Sequence, residues 1–115
     1  GYKMANTFKS VTSGSIGTAL TNIYTCPVST TAIVLGTSMA NISTNPVAGS
    51  IKLAKNGTAA GQDDVFVVKS APVPVGSSIE VMSGNKIVLE ASDKIQFQSD
   101  AAGSLDTILS ILEIS

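Results

Sequence analysis

The sequence predicts an all-β protein, an antiparallel β-sandwich of jelly-roll-like topology with about eight to nine short strands. Apolar residues recur with period two or in compact runs, and turn residues interrupt them about every eight to twelve positions. Apart from one ambiguous segment at the end of the chain, no helical pattern competes with this interpretation. A chain of 115 residues can bury one sandwich core. We therefore predict a single domain over residues 1–115, with residues 1–6 as an extended N-terminal arm.

Two strands are predicted before the first proline. The weak alternation of residues 7–13 predicts the first strand, with Phe8 and Val11 as its apolar anchors. Residues 19–26 predict the second strand. Pro27 ends it, because proline has no amide hydrogen to donate to a neighbouring strand.

The middle of the chain predicts a central strand followed by a hairpin. Residues 32–42 begin with a run that is apolar on both faces, which indicates a central strand bent at Gly36. Residues 50–55 alternate cleanly, with Ile51 and Leu53 pointing inward, and residues 65–69 return as their partner. The Asn56-Gly57 dipeptide between these strands tolerates the positive φ angles of a tight hairpin turn.

The next segment, residues 71–76, contains two prolines and cannot be an interior strand, so we predict an edge or crossover segment. Short alternating strands follow at residues 78–81 and 86–90, separated by a turn at residues 83–85. Residues 94–98 alternate throughout, with Ile95 and Phe97 on one face. By the same reasoning, Phe8 and Phe66 are also predicted to lie in the core.

The last element, residues 105–114, is the ambiguous one. Its leucines and isoleucines fit a helical stripe that Ser104 would cap, but its β-branched residues favour a strand. We predict a strand, because every other element has β character. Since this strand would be apolar on both faces, we expect it to be covered on both sides.

The composition leaves little with which to perform catalysis. The chain has no His, Arg or Trp, and its single cysteine is Cys26. These residue types supply most general bases, phosphate ligands, thiolate nucleophiles and transition-metal ligands. Cys26 has no cationic neighbour in the sequence and is interpreted as a small core residue in a chain without internal disulfides. We therefore predict no enzymatic activity, no cofactor and no metal.

Two acidic pairs are the remaining candidates for chemistry. Asp63-Asp64 lies in a Gly-flanked loop, but adjacent carboxylates do not give the ligand spacing that calcium requires, so a solvated turn is predicted. Glu90 and Asp93 resemble a glycosidase pair only in their charge, because the chain lacks the aromatic residues that line sugar clefts. We expect Asp93 instead to cap a tight turn between two strands.

The net charge and the lengths of the apolar stretches argue against nucleic acid and membranes as partners. A net charge of −1 lacks the electrostatic footprint that nucleic-acid binding requires. No apolar stretch approaches the roughly 20 residues that span a bilayer. Charged residues make up only 13% of the chain, against a typical share of about 25%. A surface with so little charge favours contacts with copies of the chain or with other proteins.

Several phrases of the sequence resemble small virion proteins of tailed bacteriophages, including those of cyanophages. The resemblance covers most of the chain in pattern and rests on residues 4–9, 71–81, 84–95 and 105–115. It implies a β-sandwich present in many copies on a virus particle, with no catalytic residues to carry over. The implied function is a capsid decoration (cement) protein that stabilises the shell by bridging capsomers.

The resemblance also implies where and with what the protein acts. The expected partners are the major capsid protein or other virion proteins, and the expected self-association is a homo-oligomer, with a trimer favoured. The protein would be assembled in the host cytoplasm and reside in the virion. A neck or tail component is the alternative, followed by a carbohydrate-binding host-attachment module. The protein-contact residues predicted from the sequence are Tyr2, Lys3, Phe8, Pro72, Val73, Pro74 and Val75.

Overall fold

The computed structural model describes residues 6–55, 62–81 and 86–115. Within these ranges the chain forms nine β-strands and no helix. The strands are β1 (Asn6–Ile16), β2 (Thr21–Thr25), β3 (Thr31–Asn41), β4 (Val47–Ala54), β5 (Val65–Val73), β6 (Ser78–Glu80), β7 (Ile87–Leu89), β8 (Lys94–Ser99) and β9 (Leu105–Ile114). The predicted all-β class is confirmed.

The strands form two antiparallel sheets whose order is that of a jelly roll. The front sheet has the order β1-β9-β3-β6, with β7 also paired to β3, and the back sheet has the order β2-β8-β4-β5. The first strand therefore pairs with the last, the second with the second to last, and so on to the β4–β5 pair. Such nested pairing describes one long hairpin wrapped into two layers, as in a jelly roll.

The core lies between the two sheets and follows the period-two alternation of the strands. Along β8, the inward residues Ile95 and Phe97 are almost completely buried, as predicted, while the alternate residues of the strand are half-buried. Ile51 of β4 packs against them from the neighbouring strand. The completely or nearly completely buried apolar side chains are Cys26, Ala32, Val34, Met39, Ile51, Val73, Leu89, Ile95, Phe97, Leu105, Leu109 and Ile111.

The final segment is a strand, as predicted, because β9 pairs on one side with β1 and on the other with β3. Both faces of β9 were expected to be covered, and in the single chain only the core-facing one is. Leu105, Leu109 and Ile111 face the core, whereas Ile108 on the opposite face is 48% exposed. The fold of the single chain therefore buries only one face of this strand.

Two predictions about strand shape are confirmed. The pairing of β3 with β9 shifts register between Val34 and Gly36, so the central strand has its irregularity where the sequence places a glycine. The proline segment belongs to an edge strand, because β5 is the last strand of the back sheet and Pro72 pairs only with Ala48 of β4. After Pro74 the chain crosses to β6 in the front sheet.

Two aromatic residues predicted for the core lie on the surface. Phe8 is 73% exposed and Phe66 is 40% exposed. Phe8 lies opposite Leu112 on the outer side of the front sheet, and Phe66 lies opposite Lys52 on the outer side of the back sheet. Three other predicted features lie outside the described residues. They are the turn at residues 56–57, the turn at residues 83–85 and residues 1–5 of the N-terminal arm.

The close approach of the two sheets at Gly49 yields a test of the packing. A Cβ atom there would lie 2.6 Å from Sδ of Met39 and 3.0 Å from Cδ1 of Leu105, and both of those side chains are completely buried. We expect Gly49→Ala to lower the free energy of unfolding by about 1–3 kcal/mol in urea denaturation, because the buried neighbours must shift. Gly36→Ala is the control, since its Cβ would meet nothing within 4 Å. Equal stability of the two variants would contradict this packing.

Candidate protein-interaction surfaces

The outer face of the front sheet, called the front face below, carries a row of apolar side chains. Residues directly opposite each other in antiparallel strands share one face of a sheet. The register pairs Phe8 with Leu112, Leu112 with Ile33, and Ile33 with Val88. Phe8 and Val88 at the two ends are 73% and 55% exposed, and the two residues between them are half-buried. We call these four residues the apolar row.

A shallow depression lies beside the apolar row, at the irregularity of β3. Leu35, Gly36 and Ser110 line its floor, and Ile108 borders it on β9. Gly36 has no side chain to fill this space, and nothing lies within 4 Å of where its Cβ would be. Thr37, Ser38 and Glu80 also line the depression, so the front face has a shallow site of mixed polar and apolar character beside the apolar row.

The charged residues that point outward from the strands of the front face are acidic. Glu80 lies opposite Ser38, and Asp106 lies opposite Ala40. Oδ1 of Asp106 accepts a hydrogen bond of 3.0 Å from the backbone amide of Ser15.

The outer face of the back sheet, called the back face, has a cationic and aromatic centre. The Nζ atoms of Lys52 and Lys69 lie 5.6 Å and 5.0 Å from the centre of the Phe66 ring. Lys94 points outward from β8, because its neighbour Ile95 faces the core. The face also contains the amide pair Gln96 and Asn22, joined by a hydrogen bond of 2.6 Å. Sequence analysis missed this cluster, because only the β4–β5 register brings Phe66 beside Lys52.

The predicted contact residues of the proline segment do not share one environment. Pro72, Pro74 and Val75 are exposed, whereas Val73 is completely buried and belongs to the core. Alternation along the edge strand explains this difference, because Val73 lies opposite the buried Val47. Phe8 lies in the apolar row on the front face, away from this edge. Tyr2 and Lys3 are outside the described residues.

A buried ion pair lies between the end of β4 and the turn before β8. Nζ of Lys55 is 2.6 Å from Oδ2 of the completely buried Asp93 and 3.1 Å from Oε1 of Glu90. The same Oδ2 accepts the backbone amide of Glu90 at 2.9 Å, so Asp93 caps the turn as predicted. These contacts, the hydrogen bond to Asp93 first, raise the pKa of Lys55. Because both carboxylates contact the same ammonium group, this ion pair connects the end of β4 to the turn before β8.

A second polar cluster connects the two sheets at one end of the sandwich. The hydroxyl of Tyr24 on β2 donates a hydrogen bond to Glu113 on β9, and Nζ of Lys9 lies 3.2 Å from the other carboxylate oxygen. Burial, followed by the hydrogen bond to Glu113, raises the pKa of Tyr24. The hydrogen bond from Tyr24 lowers the pKa of Glu113 despite its partial burial, and Lys9 adds to this effect.

The single cysteine lies in the core. Cys26 is 1% exposed, and its Sγ lies 3.3 Å from the carbonyl oxygen of Thr30. Burial raises the pKa of this thiol, which lowers the fraction of reactive thiolate at neutral pH. The thiol is therefore packed as a small apolar group.

Two other acidic residues accept hydrogen bonds from backbone amides in different parts of the fold. Asp64 accepts the amide of Lys55 at 2.8 Å, and Asp100 accepts the amide of Ala48 at 2.9 Å. Within the described residues, no group of three or more His, Cys, Asp or Glu side chains is arranged to hold a metal ion. The same part of the chain contains no helix of the length and apolarity needed to cross a membrane.

Comparison with solved structures shows a likeness in fold. No protein-family model matches the chain, and no curated protein matches it. The structure is similar to a solved chain from Bacillus endospore appendages, which form a family of disulfide-linked pili. The TM-score is 0.55 and the sequence identity is 16%, over 96% of this chain and 86% of the other. At this identity the likeness establishes a shared fold.

The buried ion pair leads to a stability prediction. Removing its cation leaves the carboxylate of Asp93 buried without that partner, which typically costs about 3–5 kcal/mol. We expect Lys55→Met to lower the free energy of unfolding by about 3 kcal/mol in urea denaturation. Lys86→Met, at an exposed position, is the matched control and should change stability by less than about 0.5 kcal/mol. A similarly small effect of Lys55→Met would show that the pair is not needed.

The lowered pKa of Glu113 leads to a prediction about pH. Because the pKa is lower in the folded state, the contribution of Glu113 to stability is present above its unfolded pKa of about 4.3 and is lost as pH falls through the folded value. We expect the stability difference between wild type and Glu113→Gln to shrink between pH 7 and pH values below about 4. Urea denaturation of both proteins across this range measures it. A difference independent of pH would contradict the assignment.

Proposed function

We propose that this chain is a structural subunit that acts without catalysis by packing against further protein copies in a repeated assembly. The observation that carries this proposal is the apolar row on the front face. It crosses four paired strands, and its terminal residues Phe8 and Val88 are largely exposed in the single chain. An exposed apolar surface that extends across several strands of a sheet is typical of a protein-binding site.

A capsid decoration protein is the specific form of this proposal that follows from the phage resemblance. In that form, the chain would be bound to the major capsid protein on the outside of the shell and would bridge adjacent capsomers. An interface of about 800 Å² per partner, repeated over a shell, gives the required stabilisation without special residues. The low share of charged residues and the apolar row support such contacts.

A fibre subunit is the second form, and the fold likeness to a chain of endospore appendage pili favours it. The disulfide linkage of those pili does not transfer simply to this chain. The 115 residues include one cysteine, and Cys26 is 1% exposed. We therefore propose an assembly held by non-covalent contacts.

The test measures self-association of the purified chain by sedimentation over a wide concentration range. We expect species heavier than the 11.7 kDa chain, and we expect Phe8→Ser combined with Val88→Thr to weaken association about tenfold or more, because exposed anchors of the row are removed. Val28→Thr is the matched control, since Val28 is 74% exposed but lies in a loop outside the front face.

Electron microscopy of the same samples separates the two forms. Fibres formed by the chain alone support the fibre subunit, whereas discrete oligomers that bind phage capsids support the decoration protein. A chain that stays monomeric at every concentration and binds neither particle nor fibre would overturn the proposed function.

A further inference from the structure

The charges that point outward from the strands are separated between the two faces of the sandwich. On the back face they are all positive and belong to Lys52, Lys69 and Lys94. On the front face they are negative and belong to Glu80 and Asp106. A chain with a net charge of −1 thus presents two outer surfaces of opposite sign.

No ion pair between described residues neutralises these charges. Among the described residues, the ion pairs within 4.0 Å involve only Lys9 and Lys55 as cations, and none involves Glu80 or Asp106. Residues of the opposite charge lie near the edges of each face. Lys86 is exposed beside β7 of the front sheet, and Asp64 and Asp100 lie at the ends of the back sheet, where each accepts a hydrogen bond from a backbone amide. The strand-borne charges of both faces therefore remain available to a partner.

The apolar parts of the two faces also match. The front face presents the apolar row, and the back face presents the 40% exposed ring of Phe66 flanked by two lysines. The aliphatic stem of a lysine covers apolar surface while its ammonium group stays at the edge. The back face can thus cover the apolar row and place ammonium groups near carboxylates.

We propose that copies of this chain stack head to tail, with the front face of one copy on the back face of the next. This proposal rests on the proposed structural function and names its partner surface, a second copy of the chain. Front-on-front pairing would bring Glu80 and Asp106 of two copies together, and back-on-back pairing would oppose two sets of lysines. Like charges across an interface disfavour both of these symmetric arrangements.

The geometry of the stack determines its symmetry. Contacts between two different surfaces form a closed ring only if the rotation between copies closes, and otherwise they form an open filament. The outer faces of the two layers of a sandwich point in opposite directions. Head-to-tail stacking through them therefore yields an open linear array, in place of the trimer favoured from the sequence.

The experiment is a charge exchange between the two faces. The first variant, Lys52→Glu with Lys69→Glu, makes both faces acidic. The second, Glu80→Lys with Asp106→Asn, makes the front face basic and keeps a side-chain oxygen for the amide of Ser15. We expect each variant alone to self-associate about tenfold more weakly than wild type at low salt, as measured by sedimentation.

An equimolar mixture of the two variants is the decisive sample. Each interface in an alternating stack then joins an acidic face to a basic face, so we expect association to return to within a few-fold of wild type. Association of wild type should also weaken at 1 M salt, where charges are screened beyond about 3 Å. Asp63→Lys is the control for a change in net charge, since Asp63 is exposed in the loop before β5. Glu80→Lys alone serves if the double variant fails to fold.

The outcomes separate this proposal from the proposed function. Self-association that is lost with the Phe8 and Val88 substitutions but unchanged by charge reversal would overturn head-to-tail stacking and leave the structural function standing. Failure of the mixture to recover would also overturn stacking. A wild-type chain that never associates would overturn both proposals.

Discussion

The fold depends on the pairing of the first strand with the last. β9 lies between β1 and β3 and forms antiparallel ladders with both, so the C-terminal strand is central in the front sheet and the N-terminal strand is at its edge. Closing a loop of about 100 residues costs conformational entropy, although that cost rises only slowly with loop length. Burial of Leu105, Leu109 and Ile111 offsets it, since each buried aliphatic side chain contributes about 1.5–3 kcal/mol.

The polar groups inside the sandwich fix the connections between strands. Asn41 is an example, because its side chain donates to the carbonyl oxygens of Asn45 and Val73 and accepts the amide of Ser43. Asp93 performs a comparable role in the turn before β8. Among the described residues, every buried side-chain nitrogen or oxygen atom has a hydrogen-bond partner. The loops are thereby held without the disulfides that stabilise many small extracellular domains.

The two outer faces are the parts of the molecule that the fold does not use. A sandwich buries one side of each sheet, and antiparallel sheets usually expose polar residues on the other side. Here the exposed side of the front sheet keeps Phe8, Val88 and Ile108, which remain about half to three-quarters exposed in the single chain. The back face keeps lysines that form no ion pair with any carboxylate in the described part of the chain. Contacts between protein copies would give both sets of residues an energetic role.

Much of the strand pattern could be predicted from local sequence. Alternation identified β8 and its inward residues, the glycine in the central apolar run marked the irregularity of β3, and the prolines marked β5 as an edge strand. These features depend on neighbouring residues, because proline removes a hydrogen-bond donor and period two divides a strand into two faces. A jelly-roll-like topology was also predicted, from the number and spacing of the strands, whereas the order of the strands within each sheet was not.

The candidate surfaces could not be predicted in the same way, because alternation does not say which of two apolar faces meets the core. Around Phe66 both faces of the strand are apolar, and a shift of one residue exchanges them. Only the pairing of Phe66 with Lys52 decided that the ring lies outside. The same holds for the link between Lys55 and Asp93, which are 38 residues apart. By itself, the sequence determined which segments are strands, and the tertiary structure decided which side of each strand faces the core, because register is set by contacts between distant parts of the chain.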